Sequence, residues 1–218
     1  ADRMAASIAL AHMFGLGPAT VLPGGLHGFV KTKSGLSTTD IQFLFRGAPG
    51  NAHLWFPGIR APYKDGFGLR PVLLHPESRG EVLLRSADPH DKVRIRQNFL
   101  AVAGDLETLR TGVKLAREML HQPAMEKMRG TEIVPGPKIK TDDEIDQWIR
   151  QTAITAHHPS CTTPMGAGEE AVLDTECRVK GAENLRVIDA SAMPDLVSGN
   201  IHAAVLVIAE KVSDHILG

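Results

Sequence analysis

Two short segments near the end of the chain carry histidines in a setting that suits acid–base chemistry. Residues 155–166 read TAHHPSCTTPMG and contain His157 and His158 directly before a proline. Residues 198–203 read SGNIHA and contain His202. Imidazole has an unperturbed pKa near neutrality, so it can take up and return a proton under physiological conditions. Because catalytic side chains are often held on loops above a rigid scaffold, these two segments are the candidate site.

Adjacent histidines before a proline cannot both face one site. A residue that precedes proline avoids the helical region, so the backbone at His158 is expected to be extended. Successive side chains of an extended segment point in opposite directions, so one of His157 and His158 faces the site and the other faces away. The pattern does not decide between them. His202 is expected at the first turn of a helix, where the partial positive charge of the helix end favours a neutral, base-competent ring.

Two other kinds of site were weighed for these residues. His157, His158, Cys161 and Cys177 could be proposed as a zinc set, but their spacing matches no familiar zinc finger or ribbon. Cys161 could pair with a nearby histidine as a nucleophile, but three residues along one loop fix no geometry. We therefore expect no metal site and no cysteine nucleophile.

The elements that must position these segments mix strands with helices. Leucines, valine and alanine recur at helical spacing after Asp105, which is the expected N-cap of a helix. Thr141 and Glu144 form a predicted capping box at the start of a further helix, which is expected to stop before His158. The other predicted helices are residues 4–14, a short one at 123–128 and a last one through Val205 and Ile216. The predicted strands are residues 41–45, 69–74, 81–85, 93–96 and a short buried one at 184–189. The expected fold class is α/β (α+β), with an antiparallel or mixed sheet backed by helices.

Two stretches rich in glycine and proline are expected to be loops. Residues 23–28 lack the flanking strand and helix of a phosphate-binding glycine loop, so they are expected to be a plain connection. Residues 47–68 form a long predicted surface loop, and such loops often act as lids or binding loops. Its aromatic residues could line a pocket or pack onto the core, and they are Trp55, Phe56, Tyr63 and Phe67.

Composition limits the classes of protein to which the chain can belong. The 218 residues are 43% hydrophobic and 22% charged, an ordinary balance for a globular domain. The net charge of −1 gives no reason to expect nucleic acid as a partner. No apolar stretch approaches the roughly 18 residues that a membrane span needs. The two cysteines, Cys161 and Cys177, imply no disulfide framework, and a reducing, cytoplasmic location is expected.

The candidate segments resemble the C-terminal motifs of the glucose–methanol–choline (GMC) family of flavin oxidoreductases. Residues 158–166, HPSCTTPMG, resemble the family's His-Pro-x-x-Thr-x-x-Met-Gly segment. The likeness runs in order over most of the chain and is nearest to the choline dehydrogenase-like members. The other segments that carry it are residues 75–82, 88–89, 117–120, 128–132, 173–181, 184–194, 198–203 and 210–211.

The resemblance implies a mechanism. In the family FAD takes a hydride at its N5 from the alcohol carbon, while a histidine removes the hydroxyl proton. By motif position that base is His158, and His157 is its neighbour on the cofactor side. The second active-site position falls on His202, and a histidine there resembles the glucose and aryl-alcohol oxidases. The resemblance also implies two sets of cofactor contacts. Asp189 and Ala190 fall at the ribityl-pyrophosphate region of FAD, and Asn200, Ile201 and Ala203 fall beside the flavin ring.

The resemblance further implies that much of the enzyme is another stretch of polypeptide. The chain contains no dinucleotide-binding glycine fingerprint, which the family carries near its N-terminus. The expected organisation is a substrate domain at residues 1–155, then active-site loops and the C-terminal part of a Rossmann-like FAD domain at residues 156–218. The expected partners are an N-terminal FAD-binding polypeptide and a small alcohol. The sequence does not decide whether the protein forms a homo-oligomer. The alternative is a non-catalytic binding remnant of the same fold.

Overall fold

The computed structural model of the protein describes residues 2–17, 25–48, 53, 58–61 and 64–218. In its described residues one helix is followed by five strands and then by three helices, and 3₁₀ turns occur at Pro123–Met125 and Ala190–Ala192. The helices are α1 (Asp2–Phe14), α2 (Ala103–Leu120), α3 (Asp142–Thr152) and α4 (His202–Leu217). The strands are β1 (His27–Val30), β2 (Ile41–Arg46), β3 (Gly68–Leu73), β4 (Glu81–Leu83) and β5 (Arg94–Arg96).

The main sheet is antiparallel, with strand order β1-β2-β3 and Ile41 of β2 opposite both Val30 and Leu73. Helix α2 covers one face, where Ile41 and Phe43 form a buried cluster with Ala116. The helix approaches closely at Gly112. A Cβ added there would lie 3.0 Å from the Cβ of Pro71 and 3.3 Å from Cδ1 of Ile41. Strands β4 and β5 form a separate two-stranded antiparallel sheet.

A second core forms where α3 packs on the outer face of α2. Ile145 and Ile149 of α3 are buried against Leu106 and Val113 of α2, with Trp148 packed beside them. The apolar spacing in both helices therefore produces a single interlocked seam. At its edge Arg110 donates to Asp146 at 3.0 Å, which ties the two helices together outside the apolar contact.

The sequence predictions for these elements are largely confirmed. The capping box forms as predicted: the amide of Glu144 donates to Thr141 Oγ1 at 3.3 Å, and the Glu144 carboxylate accepts from the Thr141 amide at 2.9 Å. Helix α3 ends at Thr152, before His158. Antiparallel strands occur where strands were predicted at residues 41–45, 69–74, 81–85 and 93–96, each within a few residues of the expected ends. The α/β fold class with an antiparallel sheet is thus confirmed.

Asp105 was predicted to be the N-cap of α2, and this prediction is wrong. The helix begins at Ala103, and Val102 is its N-cap without a side-chain cap. The carboxylate of Asp105 is buried and accepts the amides of Glu77 at 2.8 Å and Ser78 at 2.9 Å. It therefore satisfies the backbone of a distant turn, which takes precedence over capping its own helix.

Three local predictions also differ from the structure. The predicted strand 184–189 is absent, because left-handed backbone at Cys177 and Asn184 interrupts the pairing and leaves an isolated bridge between Arg178 and Arg186. The predicted helix 123–128 is a 3₁₀ turn of three residues. His27 and Gly28, predicted as loop, belong to β1, since pairing with β2 supplies the strand that their composition does not indicate.

Some predictions lie outside the described residues. Of the aromatic residues in the predicted loop 47–68, only Phe67 is described, and its ring lies 5.9 Å from that of Phe45. Among the described helices, none is long and apolar enough to cross a membrane.

The capping box makes the stability of the protein depend on pH. Hydrogen bonds from the amides of Thr141 and Lys140 lower the pKa of Glu144 below its ordinary value. A lowered folded-state pKa stabilises the protein above the unfolded pKa, and this contribution is lost as the pH falls through the folded pKa. We therefore expect the stability advantage of the wild type over Glu144→Gln to shrink below pH about 4.3, the ordinary glutamate value.

The comparison is made by urea unfolding of both proteins between neutral pH and the acid limit of folding. Glu169→Gln, which replaces an exposed glutamate outside the capping box, is the control and should run parallel to the wild type. An advantage over Glu144→Gln that stays constant through the acid range would show that the capping carboxylate does not titrate as proposed.

Candidate functional site

The first histidine segment is bound to residues 190–192 by a short ladder of backbone hydrogen bonds. The amides of Cys161, Thr163 and Met165 donate to the carbonyls of Ala190, Ser191 and Ala192 at 3.1, 3.0 and 2.9 Å. The alternation places every second residue of one segment against successive residues of the other. The segment that follows His158 therefore lies alongside the turn that contains Ala190.

Side chains reinforce this ladder at its centre. Thr163 Oγ1 lies 2.7 Å from Ser191 Oγ, and Ser191 donates from both its amide and its hydroxyl to Oδ1 of Asp189, at 2.8 and 2.5 Å. Asp189 is thereby the N-cap of the 3₁₀ turn Ala190–Ala192. This carboxylate is exposed, whereas Ala190 and Ser191 of the turn are half-buried and Ala192 is buried.

A buried cluster anchors the ladder from below. Leu173, Cys177 and Ala192 are fully buried, and Val212 of α4 packs with them. The amide of Gly166 donates to the carbonyl of Leu173 at 3.0 Å, which continues the ladder into this cluster. The loops of the site are therefore fixed by hydrogen bonds and by an apolar core, although they contain little regular secondary structure.

The structure distinguishes the two adjacent histidines. His157 is exposed and has left-handed backbone with φ 64°, and its amide donates to Thr155 Oγ1 at 2.9 Å. The segment is thus not uniformly extended as predicted, because the threonine hydroxyl closes a tight turn at His157. His158 is half-buried. Of the pair, His158 is the side chain held against the protein.

His202 is the first residue of α4, which confirms its predicted place at the start of a helix. It is exposed, as are Asn200 and Ala203, while Ile201 is half-buried. Ile201 is the N-cap and makes no side-chain cap hydrogen bond. The first turn of α4 therefore begins with the exposed His202, and no N-cap side chain satisfies its amides.

The structure brings some predicted site residues together and leaves others apart. Asp189 and Ala190 lie beside the segment of His158 through the ladder, while Asn200, Ile201, His202 and Ala203 form a second group at the start of α4. Within the described part of the chain, no hydrogen bond or ion pair joins His158 to His202. The segment before α4 is instead tied to the end of the main sheet, where Ser198 Oγ lies 3.1 Å from His75 Nε2.

The zinc alternative receives no support from the described residues. No group of three or more His, Cys, Asp or Glu side chains among them is arranged to hold a metal ion. Cys177, one of the four residues weighed, is packed in the apolar cluster, and this burial raises the pKa of its thiol. Cys161 is half-buried and its Sγ lies 3.3 Å from Ser160 Oγ.

Sequence reasoning did not single out His75 or Asp105 as parts of this site. His75 lies in the family-like segment 75–82 and directly precedes a proline, as His158 does. These features alone did not predict a contact with the candidate site. Asp105 has partners 27 and 28 residues earlier in the chain, and no local pattern reports such a contact.

Comparison with known proteins identifies the family of the chain. The family model described as "GMC oxidoreductase" matches residues 76–209, more than half of the chain and nearly all of the site. This chain belongs to the GMC oxidoreductase family. The resemblance of residues 158–166 and 198–203 to GMC motifs is thereby confirmed.

Curated GMC relatives are much longer than this chain. An oxygen-dependent choline dehydrogenase of Vibrio vulnificus is 42% identical over 191 residues, which are 87% of this chain and 33% of that protein. A second, of Serratia proteamaculans, is 37% identical over 202 residues, 93% of this chain and 35% of that protein. The chain thus spans about a third of the length of these relatives.

Solved GMC structures share the fold. Pyridoxine 4-oxidase from Mesorbium loti superposes with a TM-score of 0.76 at 31% identity, over 87% of this chain and 37% of that chain. A formate oxidase superposes with a TM-score of 0.84 over 98% of this chain and 41% of that chain, and at 24% identity this likeness concerns the fold alone.

The two cysteines should differ in reactivity. Cys177 is fully buried and burial raises the pKa of its thiol, so it has little thiolate at neutral pH. Cys161 is half-buried in the loop. With a chromogenic disulfide reagent we expect the native protein to release close to one equivalent quickly and the second only on unfolding.

Cys161→Ser is the matched control for this assignment. It should remove the fast equivalent and leave the slow one. A fast equivalent that persists in Cys161→Ser would show that Cys177 is accessible and that the cluster beneath the ladder opens readily.

Proposed function

We propose that this chain is the C-terminal part of an FAD-dependent oxidoreductase that converts a primary or secondary alcohol to an aldehyde or ketone. Its membership of the GMC family and the names of its relatives support this class of reaction. The observation that carries the proposal is the ladder that fixes the segment of His158 against Asp189 and Ala190. A candidate base and candidate cofactor contacts are thereby fixed on one framework.

His158 is the proposed general base. It is half-buried on the anchored segment, whereas His157 is exposed at a left-handed turn. An imidazole held in this way can accept the hydroxyl proton of an alcohol as the carbon–hydrogen bond breaks. The ladder restricts the movement of the loop, which keeps the ring in one position relative to the turn at Ala190.

Two groups of residues fit the FAD expected in this family. Asp189 presents an exposed carboxylate next to the half-buried Ala190. Asn200, Ile201 and Ala203 lie at the start of α4, whose first turn has no side-chain cap. Amides without a cap are suited to an electron-rich group of a cofactor. When bound, FAD supplies the acceptor for the hydrogen and electron pair that leave the alcohol carbon.

His202 is the proposed second polar group at the reacting alcohol. It is exposed at the first residue of α4, and the helix end carries partial positive charge. The ring can hydrogen-bond the oxygen of the alcohol while His158 takes the proton. One histidine then orients the oxygen and the other receives its proton.

Helix α4 supports the proposal that another segment completes a Rossmann-like FAD domain. Val212 is buried in the cluster beneath the ladder, but Leu206 is 51% and Val207 65% exposed on other faces of the helix. A helix that is apolar on several faces is typical of the interior of a larger unit. The proposed occupant is the N-terminal FAD-binding segment, since relatives extend over about three times this length.

The base assignment is tested in the FAD-loaded enzyme that contains this chain. His158→Ala should slow flavin reduction by alcohol by about 10² to 10⁴-fold while FAD stays bound, because the proton acceptor is lost. The rate is followed as the bleaching of flavin absorbance in anaerobic stopped flow at saturating alcohol.

His90→Ala, which removes an exposed histidine outside both histidine segments, is the control and should remain within a few-fold of the wild type. A loss of only a few-fold in His158→Ala would contradict its role as base. Bound flavin that no alcohol reduces in the wild type would favour the binding-remnant alternative.

The completion of the FAD domain is tested on the exposed side of α4. Val207→Asp should abolish stable FAD binding, because an ionised side chain cannot be buried in an apolar interface without a partner. The ratio of FAD to protein after gel filtration measures this effect. Ile133→Asp, at a position that is 74% exposed outside α4, should retain FAD. Stoichiometric FAD in Val207→Asp would show that this side of α4 stays in solvent.

A further inference from the structure

The turn at residues 75–79 is held on α2 by a buried carboxylate. Asp105 is 3% exposed and accepts the amides of Glu77 and Ser78. The hydroxyl of Ser78 accepts the amide of Val102, the N-cap of α2, at 3.0 Å. These bonds tie the turn to the beginning of a helix that is itself packed on the main sheet. The turn is therefore held in one position relative to α2 and the main sheet.

Two side chains reach from this turn to the segment before α4. His75 Nε2 lies 3.1 Å from Ser198 Oγ, and Arg79 donates to Oδ1 of Asp195 at 3.3 Å. The same His75 nitrogen lies 3.5 Å from Thr38 Oγ1, in the connection between β1 and β2. His75 thus joins three parts of the chain that are far apart in sequence.

The segment contacted by this turn leads directly into the candidate site. Ser198 is separated from His202 by Gly199, Asn200 and Ile201 alone. The segment has its own internal hydrogen bonds, from Leu196 N to Asp195 Oδ1 and from Gly199 N to Val197 O, both at 2.8 Å. A displacement of Ser198 would therefore be transmitted to the start of α4.

We propose that His75 is a positioning residue, which places the 195–202 segment and through it the His202 ring. This inference rests on the proposed function. His75 is half-buried, whereas Arg79 and Asp195 form an ion pair whose side chains are 63% and 73% exposed. Ser198 is exposed, and His75 is the more buried member of their contact. Exposed ion pairs contribute little, so we assign the positioning role to the hydrogen bond of His75.

The first measurement is hydrogen–deuterium exchange of the FAD-loaded enzyme, which does not require turnover. His75→Ala should raise deuterium uptake in peptides that cover residues 195–205 several-fold at short times. Peptides covering α3 (Asp142–Thr152) should be unchanged, because their core contains neither His75 nor residues of the 195–202 segment. His75→Gln, whose amide can still reach Ser198, should restore most of the protection.

The second measurement is the rate of flavin reduction at saturating alcohol. His75→Ala should lower it by about tenfold, since small displacements of a reacting group are costly. His75→Gln should recover most of that rate. His90→Ala, an exposed histidine in the turn before β5, is the control and should match the wild type in both measurements. Ser198→Ala should give the same effect as His75→Ala, and the double variant should add nothing further.

Several outcomes would overturn the proposal. Unchanged uptake at 195–205 in His75→Ala would show that the contact does not hold the segment. Uptake raised equally in α3 would show a general loss of stability. A failure of His75→Gln to restore protection would show that the hydrogen bond to Ser198 is not what holds the segment. Bound FAD that no alcohol reduces in the wild type would refute the proposed function, while the exchange measurement would still decide whether His75 holds the segment.

Discussion

The candidate site depends on hydrogen bonds between two irregular backbones. Residues 153–201 contain little helix or strand, and their amides and carbonyls still require partners. The bonds from Cys161, Thr163 and Met165 to residues 190–192 supply them without forming a regular sheet. Leu173, Cys177 and Ala192 then bury the apolar side of this framework. These contacts hold the irregular segment that carries His158 in place.

The second half of the site depends on a different part of the fold. Helix α2 is fixed between the main sheet and α3, and through Asp105 it fixes the turn at residues 75–79. That turn reaches Ser198 shortly before α4. The two histidines are thus placed by separate mechanisms, His158 by the ladder and His202 by contacts that originate in the sheet and α2.

The parts of this arrangement that could be predicted from sequence are those decided by near neighbours. The capping box of Thr141 and Glu144 and the apolar faces of α2 and α3 need only residues within a few positions of one another. The family motifs were recognisable because their order and residue types are specific. Asp105 was misassigned because a cap and a buried anchor have the same local sequence. The predicted strand at 184–189 is absent because left-handed residues interrupt its start, at Asn184, and the segment opposite it, at Cys177.

The close contact at Gly112 limits the residue types that this position can tolerate. A Cβ at this position would lie 3.0 Å from Pro71 and 3.3 Å from Ile41, so it fits only if the helix or these two neighbours shift by a few tenths of an ångström. Because α2 also carries Asp105, a shift of the helix would move the turn that holds Ser198. Position 112 touches none of the proposed site residues, yet in a mutational scan it should tolerate fewer residue types than many exposed positions nearer the histidines. Divergence of this chain would then be freer at exposed positions near the histidines than at a glycine without chemistry of its own.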